Sequence, residues 1–227
     1  MNNIFSEGQV LLINKPYDWT SFDVVRRIRN LIKIKKVGHA GTLDPLATGL
    51  LILCTGKFTK KINEYMALEK EYTGTIVLGA TTPTYDLESI PENFTDGSHI
   101  TAEQVAEVAK SFTGEILQVP PIYSAIKKDG KRAYELARKG QELELEPRKI
   151  TVTGFTTTFN YPEVHFKIVC STGTYIRSLA NDLGKQLGCG GYLNELCRTR
   201  IGDHTLENSW TMEEAEMNIK EVLHQNG

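Results

Sequence analysis

Asp44 is the single acidic residue in a stretch of small and apolar residues, GHAGTLDPLATGLLILCTG at 38–56. Asp followed by Pro is typical of a helix start, because the carboxylate accepts a backbone N–H and Pro fits the first helical position. Pro45 also disfavours the α region at Asp44, as a cap requires. The dipole at a helix N-terminus favours a charged carboxylate, the state that a nucleophile or base needs. The stretch therefore predicts a helix cap, a catalytic group, or both.

Other motifs with nucleotide or nucleophile chemistry are incomplete. The P-loop-like CTGKFT has Leu51 where Gly is required, and Phe58 where Ser or Thr should follow the Lys. The glycines of GCGGYL lack the helix and acidic partner of a Rossmann site, and no G-x-S-x-G elbow occurs. The four cysteines form no CxxC pair, so we expect no metal site. A catalytic Asp44 would therefore act as a single carboxylate, without a metal or cofactor.

Charge is distributed unevenly along the chain. The 227 residues carry a net charge of −2, yet residues 1–70 hold 11 Lys and Arg against 6 Asp and Glu. Two runs, RRIRNLIKIKK at 26–36 and KKDGKRAYELARKG at 127–140, contain six basic residues each. Such runs are often solvated surface, but two of them in an acidic protein indicate a localised anionic partner such as a phosphate backbone. No apolar run can span a bilayer and no signal peptide is visible, so we expect a cytoplasmic protein without membrane contact.

Hydrophobic periodicity predicts the elements that position these residues. Strands are expected at QVLLINKP, GLLILCTG and KEYTGTIVLGATT, together with a hairpin joined through Pro162. The segment GYLNELCRTRIGDHTL is expected to lead into a last strand. Helices are expected at TSFDVVRRIRNLIKIKK, capped by Thr20 or Ser21, and at ITAEQVAEVAKSFTG, TYIRSLANDLGKQLG and TMEEAEMNIKEVLHQ. We predict an α+β fold with a mixed, mainly antiparallel central sheet flanked by helices. Residues 1–227 are expected to form one domain, with a thumb-like insertion containing a helix at about 115–150.

Six blocks of this sequence, in order, resemble those of the bacterial tRNA pseudouridine synthases that act at position 55, the TruB type. The blocks are LLINKPYDWTSFDVV, GHAGTLDPLATGLL, KEYTGTIVLG, PPIYSAIKKDGKRAYELARKG, CSTGTYIRSLANDLGKQLG and LNELCRTRIG, spanning residues 10–202. Asp18 and Ser89 stand where that family commonly has Gly, and Cys197 where it has Arg. Many relatives carry a C-terminal PUA domain, and we expect none here because the chain ends at Gly227.

The resemblance implies isomerisation of uridine to pseudouridine in the T loop of tRNA. The C1′–N1 bond breaks and the uracil rejoins through C5, which requires no cofactor. The base must be flipped out of its stack to be reached. Asp44 is implied as the nucleophile, with attack at C1′, attack at C6, or removal of a sugar proton all left open. The expected partner is the T-arm stem-loop of tRNA, and the protein is expected to act as a monomer.

The resemblance also implies roles for Arg177 and Tyr72. Arg177 would pair with Asp44, because a planar guanidinium can fix a carboxylate and keep it charged; the plainer interpretation is a solvated arginine in a first helical turn. Tyr72 would stack on the flipped uracil and assist proton transfer at C5; the plainer interpretation is core packing on a strand.

Three further residues are implied in uridine binding. His39 would stack in the flipped state, and Tyr175 and Leu196 would line the uridine pocket. The plainer interpretations are a loop-capping histidine at His39 and core packing at Leu196. Contacts to the RNA backbone are expected from the basic residues of the thumb: Lys127, Lys128, Lys131 and Arg132.

Three other functions are compatible with parts of the sequence. A module that binds or folds RNA without catalysis would use the basic runs and would not need Asp44. A pseudouridine synthase for another RNA, including the guide-RNA-directed type, would share the same motif. A metal-dependent hydrolase could be built around His39 and Asp44.

Overall fold

The computed structural model describes residues 4–124, 126–128, 131–133, 136 and 145–225. The helices are α1 (Ile4–Glu7), α2 (Ser21–Ile32), α3 (Ile62–Ala67), α4 (Ala102–Ser111), α5 (Ile176–Gln186) and α6 (Met212–Gln225). The strands are β1 (Val10–Lys15), β2 (Val37–His39), β3 (Thr48–Thr55), β4 (Lys70–Leu78), β5 (Gly114–Gln118), β6 (Lys127–Lys128), β7 (Lys131–Arg132), β8 (Arg148–Asn160), β9 (Glu163–Cys170), β10 (Gly191–Ile201) and β11 (His204–Thr205).

The chain divides into two compact units. The first comprises Met1–Thr73 and Leu196–Gly227, and the second comprises Gly74–Glu195, so β4 and β10 contribute to both. Strand order is β1-β3-β10-β4 in the first unit, with β2 on β3 and β11 on β10, and β10-β4-β9-β8-β5 in the second. β3 runs antiparallel to β1 and β2 but parallel to β10. The predicted mixed, mainly antiparallel sheet is confirmed, whereas the single domain over 1–227 stays a prediction.

The core of the first unit is organised by β3. Leu51 and Leu53 pack in the cluster that includes α2 and α6, whereas Leu50 and Ile52 pack in a second cluster with Ile201. Successive side chains of a strand point to opposite faces, so a strand covered on both sides needs a continuous apolar run. This double burial explains why the stretch after Asp44 is apolar throughout.

Helix α2 begins as its sequence predicts. The Thr20 side chain accepts a hydrogen bond from the Asp23 N–H, and the Asp23 carboxylate accepts one from the Thr20 N–H, a capping box that stabilises the first turn. Thr20 is therefore the cap, which leaves the hydroxyl of Ser21 available for another contact. The helix ends at Ile32, because Lys33 takes a left-handed conformation with a φ of 58°. It is shorter than predicted, since β2 already starts at Val37.

The second unit contains the predicted hairpin of β8 and β9, paired antiparallel from Asn160 and Glu163 outward. Helix α4 starts with a capping box between Thr101 and Gln104, and α5 is followed by Gly188, whose φ of 76° suits a helix end. Strand β5 was not predicted, because four of its five residues are at least partly exposed and its pattern carries no clear alternation.

The predicted thumb at about 115–150 is described only in part. Its start is occupied by β5, and Lys127–Lys128 pairs antiparallel with Lys131–Arg132. Within this segment, residues 125, 129–130, 134–135 and 137–144 lie outside the described residues, and most of the predicted helix falls on them.

Candidate active site

Asp44 lies in the connection between β2 and β3, and no helix begins there. Pro45 and Leu46 form a turn that is closed by a hydrogen bond from the Ala47 N–H to the Asp44 carbonyl oxygen, 3.1 Å. β3 starts at Thr48 and pairs with β1 and β10, so the residues that would have continued a helix after Pro45 are part of a strand instead. The predicted helix cap is therefore wrong, because a turn and then a strand follow Asp44.

Gly49 allows β3 and β10 to approach closely beside this turn. Its φ is +104°, and a Cβ at this position would lie 2.4 Å from the carbonyl oxygen and 2.6 Å from the nitrogen of Arg198. Both the backbone conformation and the space therefore require glycine. The parallel register, which sets Gly49 opposite Arg198, places the Arg198 side chain against the Asp44 connection.

Three buried side chains hold the backbone on either side of Asp44. Ser21, 2% exposed, accepts a hydrogen bond from the Leu43 N–H at 2.9 Å and donates to the Leu43 carbonyl oxygen at 3.2 Å. Lys15 donates to the carbonyl oxygen of Pro45 at 3.1 Å. Arg198, 1% exposed, donates to those of Gly41 at 3.1 Å and Leu50 at 2.8 Å. Hydrogen bonds from charged donors are each worth about 1.5–3 kcal/mol, so the Asp44 connection is rigidly held.

Lys15 is fully buried at the end of β1. Its ammonium also donates to the carbonyl oxygens of Pro16 at 2.9 Å and Trp19 at 2.5 Å, which occupies all three N–H groups. Burial lowers the pKa of Lys15 from 10.5 to about 8, an effect that the nearby carboxylates, Asp44 foremost, oppose. Lys15 thus stays charged at neutral pH and supplies a buried positive charge close to Asp44.

His39 ends β2, five residues before Asp44, and is half-buried. Burial lowers the pKa of His39, a backbone contact with Gly41 raises it, and the positive charge of Arg198 lowers it further. Together these effects favour the neutral form of the imidazole. Its buried Nδ1 has no hydrogen-bond partner among the described residues, so this atom does not cap the loop as the plainer interpretation of His39 would require.

Tyr72 and Leu196 belong to the first unit, like Asp44 and His39. Tyr72 on β4 is 9% exposed, so it packs as a buried strand residue. Leu196 on β10 is half-buried, and its carbonyl oxygen accepts a hydrogen bond from Thr48 at the start of β3. Their roles toward uridine stay predictions.

Arg177 lies in the first turn of α5, in the second unit, and is only 4% exposed. The solvated alternative is therefore wrong. Its guanidinium donates to the carbonyl oxygens of Thr84 and Tyr123, both at 3.2 Å, and its Nε lies 3.5 Å from the carboxylate of Asp86. The predicted pairing of Arg177 with Asp44 stays a prediction.

Tyr175 is the N-cap residue of α5 and is held by the buried side chain of Gln118. The Gln118 amide oxygen accepts from the Tyr175 N–H at 2.8 Å, and its NH₂ group donates to the Tyr175 carbonyl oxygen at 3.0 Å. This pair of hydrogen bonds ties the start of α5, and with it Arg177, to the end of β5.

The basic run at 26–36 is partly engaged within the protein. Arg26 pairs with Asp23, and Arg27 makes two hydrogen bonds to Glu216 on α6. Lys33, Lys35 and Lys36 are exposed and remain candidates for phosphate contacts. The four predicted RNA-binding residues of the thumb lie on the β6–β7 hairpin: Lys127, Lys128, Lys131 and Arg132.

Sequence reasoning missed Ser21, Lys15, Arg198 and Asp86. Alternation along β1 places Lys15 on the same face as the buried Leu11 and Ile13, a signal that was present in the sequence. The other three contact residues far away in the sequence: Ser21 contacts Leu43, 22 positions away, Arg198 contacts Leu50, 148 positions away, and Asp86 contacts Arg177, 91 positions away. Nothing in the neighbouring sequence indicates these partners.

A carboxylate on a fixed loop with a buried cation close to it can take part in acid–base or nucleophilic chemistry. Among the described residues, no group of three His, Cys, Asp or Glu side chains is arranged to hold a metal ion. No helix within the described ranges has the length and apolarity to cross a membrane.

Comparison with known proteins identifies the class to which this fold and site belong. Residues 29–176 match the family described as TruB family pseudouridylate synthase (N terminal domain), and residues 177–224 match the tRNA pseudouridylate synthase B C-terminal domain. The chain therefore belongs to the TruB family of pseudouridylate synthases, as its sequence motifs predict.

Individual relatives support the same assignment. A Flavobacterium johnsoniae protein named tRNA pseudouridine synthase B is 53% identical over 213 residues, which cover 90% of this chain and 93% of that protein. A Bacteroides fragilis protein of the same name is 53% identical over 210 residues, which cover 89% of this chain and 90% of that protein. A chain in the crystal structure of a Cbf5-Nop10-Gar1 complex has a TM-score of 0.74 at 28% identity; 94% of this chain matches 54% of that one. This chain thus spans about half the length of that chain.

Proposed function

We propose that this protein isomerises uridine to pseudouridine in tRNA, at position 55 of the T loop. Membership of the family supports the isomerase activity, and the names of relatives that are 53% identical over most of both chains support tRNA as the substrate. The observation that carries the proposal is Asp44, a lone carboxylate on a connection whose backbone is held by Ser21, Lys15 and Arg198.

The proposed reaction is balanced without any redox partner. The C1′–N1 bond breaks, a C1′–C5 bond forms, C5 loses a proton and N1 gains one. Asp44 acts as the nucleophile or base in this exchange, and Tyr72 stacks on the flipped uracil and assists proton transfer at C5. His39, Tyr175 and Leu196 contact the flipped nucleotide, and Arg177 pairs with Asp44. A carboxylate that is already placed lowers the barrier because little reorganisation is needed during the reaction.

Mass-based mapping of pseudouridine in tRNA incubated with the purified protein tests the proposal. The expected result is one new pseudouridine at position 55, in full yield with or without excess chelator. Product at another position or in another RNA would redirect the substrate assignment. Full activity in excess chelator would exclude the metal-dependent hydrolase alternative, and tight RNA binding without product would favour the non-catalytic module.

Tyr72→Phe is expected to bind RNA normally but to turn over slowly, because the ring still stacks and the hydroxyl is missing. Tyr72→Ala is expected to lose, in addition, stacking worth about 1–3 kcal/mol. Steady-state kcat and RNA affinity by fluorescence anisotropy separate the two effects.

Tyr65→Phe is the matched control, since Tyr65 also lies in the first unit and its ring packs against His204. It should retain the kinetics of the unaltered protein. Full activity in both Tyr72 variants would instead leave Tyr72 with a packing role only.

An isolated T-arm stem-loop is expected to be modified at a rate within about tenfold of that for whole tRNA. The phosphate contacts proposed for a stem-loop are the exposed lysines at 33, 35 and 36 and the basic residues at 127, 128, 131 and 132. Affinity should fall with salt by about 0.7–0.9 log units per phosphate contact. A preference for whole tRNA by orders of magnitude would contradict this expectation.

Neutralising the four basic residues of the hairpin should reduce the salt dependence and raise KM, with a smaller effect on kcat. The variant replaces Lys127, Lys128, Lys131 and Arg132 with Gln. A control variant replaces four exposed lysines elsewhere: Lys57, Lys60, Lys61 and Lys110. Equal loss of affinity in both variants would show that only the total charge matters.

A further inference from the structure

We infer that Ser21 is a positioning residue that sets the direction of the Asp44 carboxylate through the peptide group of Leu43. This inference rests on the proposed function for its catalytic consequence. Ser21 is the first residue of α2 and lies 23 positions before Asp44 in the chain. Because Thr20 supplies the helix cap, the Ser21 hydroxyl is free to act outside its own helix.

The Ser21 hydroxyl makes two hydrogen bonds with the backbone of Leu43. It accepts from the Leu43 N–H at 2.9 Å and donates to the Leu43 carbonyl oxygen at 3.2 Å. Ser21 and Leu43 are both buried, so water is not available to replace these contacts. The peptide groups on both sides of the Leu43 Cα are therefore fixed to the start of α2.

The Leu43 carbonyl belongs to the peptide plane that carries the nitrogen of Asp44. Pro45 restricts Asp44 to extended conformations. On the other side of Asp44, the Pro45 carbonyl oxygen accepts hydrogen bonds from the Lys15 ammonium at 3.1 Å and from the Asp18 N–H at 3.0 Å. Ser21 fixes the tilt of the Leu43–Asp44 peptide plane from the other side. A misplacement of about 1 Å in a reacting group can lower a rate by about 10²-fold.

Ser21→Ala tests this role, because it removes both hydrogen bonds without adding bulk. We expect kcat for pseudouridine formation to fall by about 10–100-fold, while KM for RNA changes by less than about twofold. Ser21→Thr keeps the hydroxyl and should recover most of the lost kcat.

Thr55→Val is the matched control. Thr55, at the opposite end of β3, is also buried, accepts from the Gln9 N–H at 3.0 Å and donates to the Phe5 carbonyl oxygen at 2.8 Å. It ties down the N-terminal segment with the same two kinds of bond, so Tm should fall in Thr55→Val about as in Ser21→Ala, but kcat should not. An equal loss of kcat in both variants would overturn the inference, as would an unchanged kcat or a rise in KM alone for Ser21→Ala.

Amide hydrogen exchange measured by NMR separates this inference from the proposed function. Ser21→Ala should accelerate exchange at Leu43, and Thr55→Val at Gln9. If the unaltered protein and the control both fail to form pseudouridine, the proposed function is wrong, and the Leu43 exchange rate alone decides whether Ser21 fixes the loop. An unchanged Leu43 rate would overturn the positioning role whatever the activity.

Discussion

Asp44→Asn is expected to lower kcat for pseudouridine formation by roughly 10³-fold or more, the scale seen when a residue that takes part in bond making is removed. Asn keeps the size and backbone conformation of Asp, and the turn at this position is closed by the Asp44 carbonyl oxygen rather than by its side chain. Folding and RNA affinity should therefore persist. Single-turnover assays with mass-based product detection, together with anisotropy binding, measure the two quantities separately.

Asp203→Asn is the matched control for this change. Asp203 is exposed in the same unit and makes the same change of net charge when replaced. It should leave kcat and affinity unaltered. Turnover by Asp44→Asn within tenfold of the unaltered protein would remove Asp44 from the catalytic role and would return the non-catalytic RNA-binding alternative to consideration.

Arg177→Lys is expected to lower kcat by about 10²-fold, although the charge is conserved. The guanidinium of Arg177 reaches two carbonyl oxygens and approaches Asp86 at once. A lysine ammonium is a point charge without that planar fork, so it cannot make these contacts in the same geometry. The predicted pairing with Asp44 would be lost for the same reason. Steady-state kinetics and thermal unfolding of the variant give the size of both effects.

Arg200→Lys provides the comparison for a less buried arginine that also faces carboxylates, Glu69 at 3.0 Å and Glu71 at 3.8 Å. Its kcat should be unaltered, since surface ion pairs contribute only about 0–1 kcal/mol. A double-mutant cycle of Arg177→Lys with Asp86→Asn measures how much of the effect acts through Asp86. A near-normal rate for Arg177→Lys would contradict the predicted pairing of Arg177 with Asp44.

The local elements of this fold follow from patterns that act over a few residues. The capping box of Thr20 and Asp23, the apolar run of β3 and the alternation in β8 and β9 each indicate the observed element. The same local logic was misleading at Asp44. Asp-Pro is a good helix start, but pairing of the next residues with β1 and β10 is a tertiary interaction that overrides this preference.

The support of the candidate site could not be predicted because it depends on contacts between distant segments. The sequence offers Thr20 and Ser21 as equivalent caps, and only the position of Leu43 shows why they differ. Alternation along β1 indicates that Lys15 is buried, but the burial of Arg198 is unexpected, since charged residues are seldom fully buried unless their polar groups have partners. Here the partners are backbone carbonyl oxygens, which carry no signal in the sequence.

The anchored Asp44 connection also determines which partner has to change shape during the proposed reaction. Its backbone is hydrogen-bonded to buried side chains of the first unit, so moving it would break several buried hydrogen bonds at once. The carboxylate cannot travel toward a stacked base, and the RNA must bring the base to it. Nucleotides in loops unstack at a lower cost than those in a continuous duplex. The stiffness of the protein at this point therefore selects RNA segments by their flexibility, before any base is recognised.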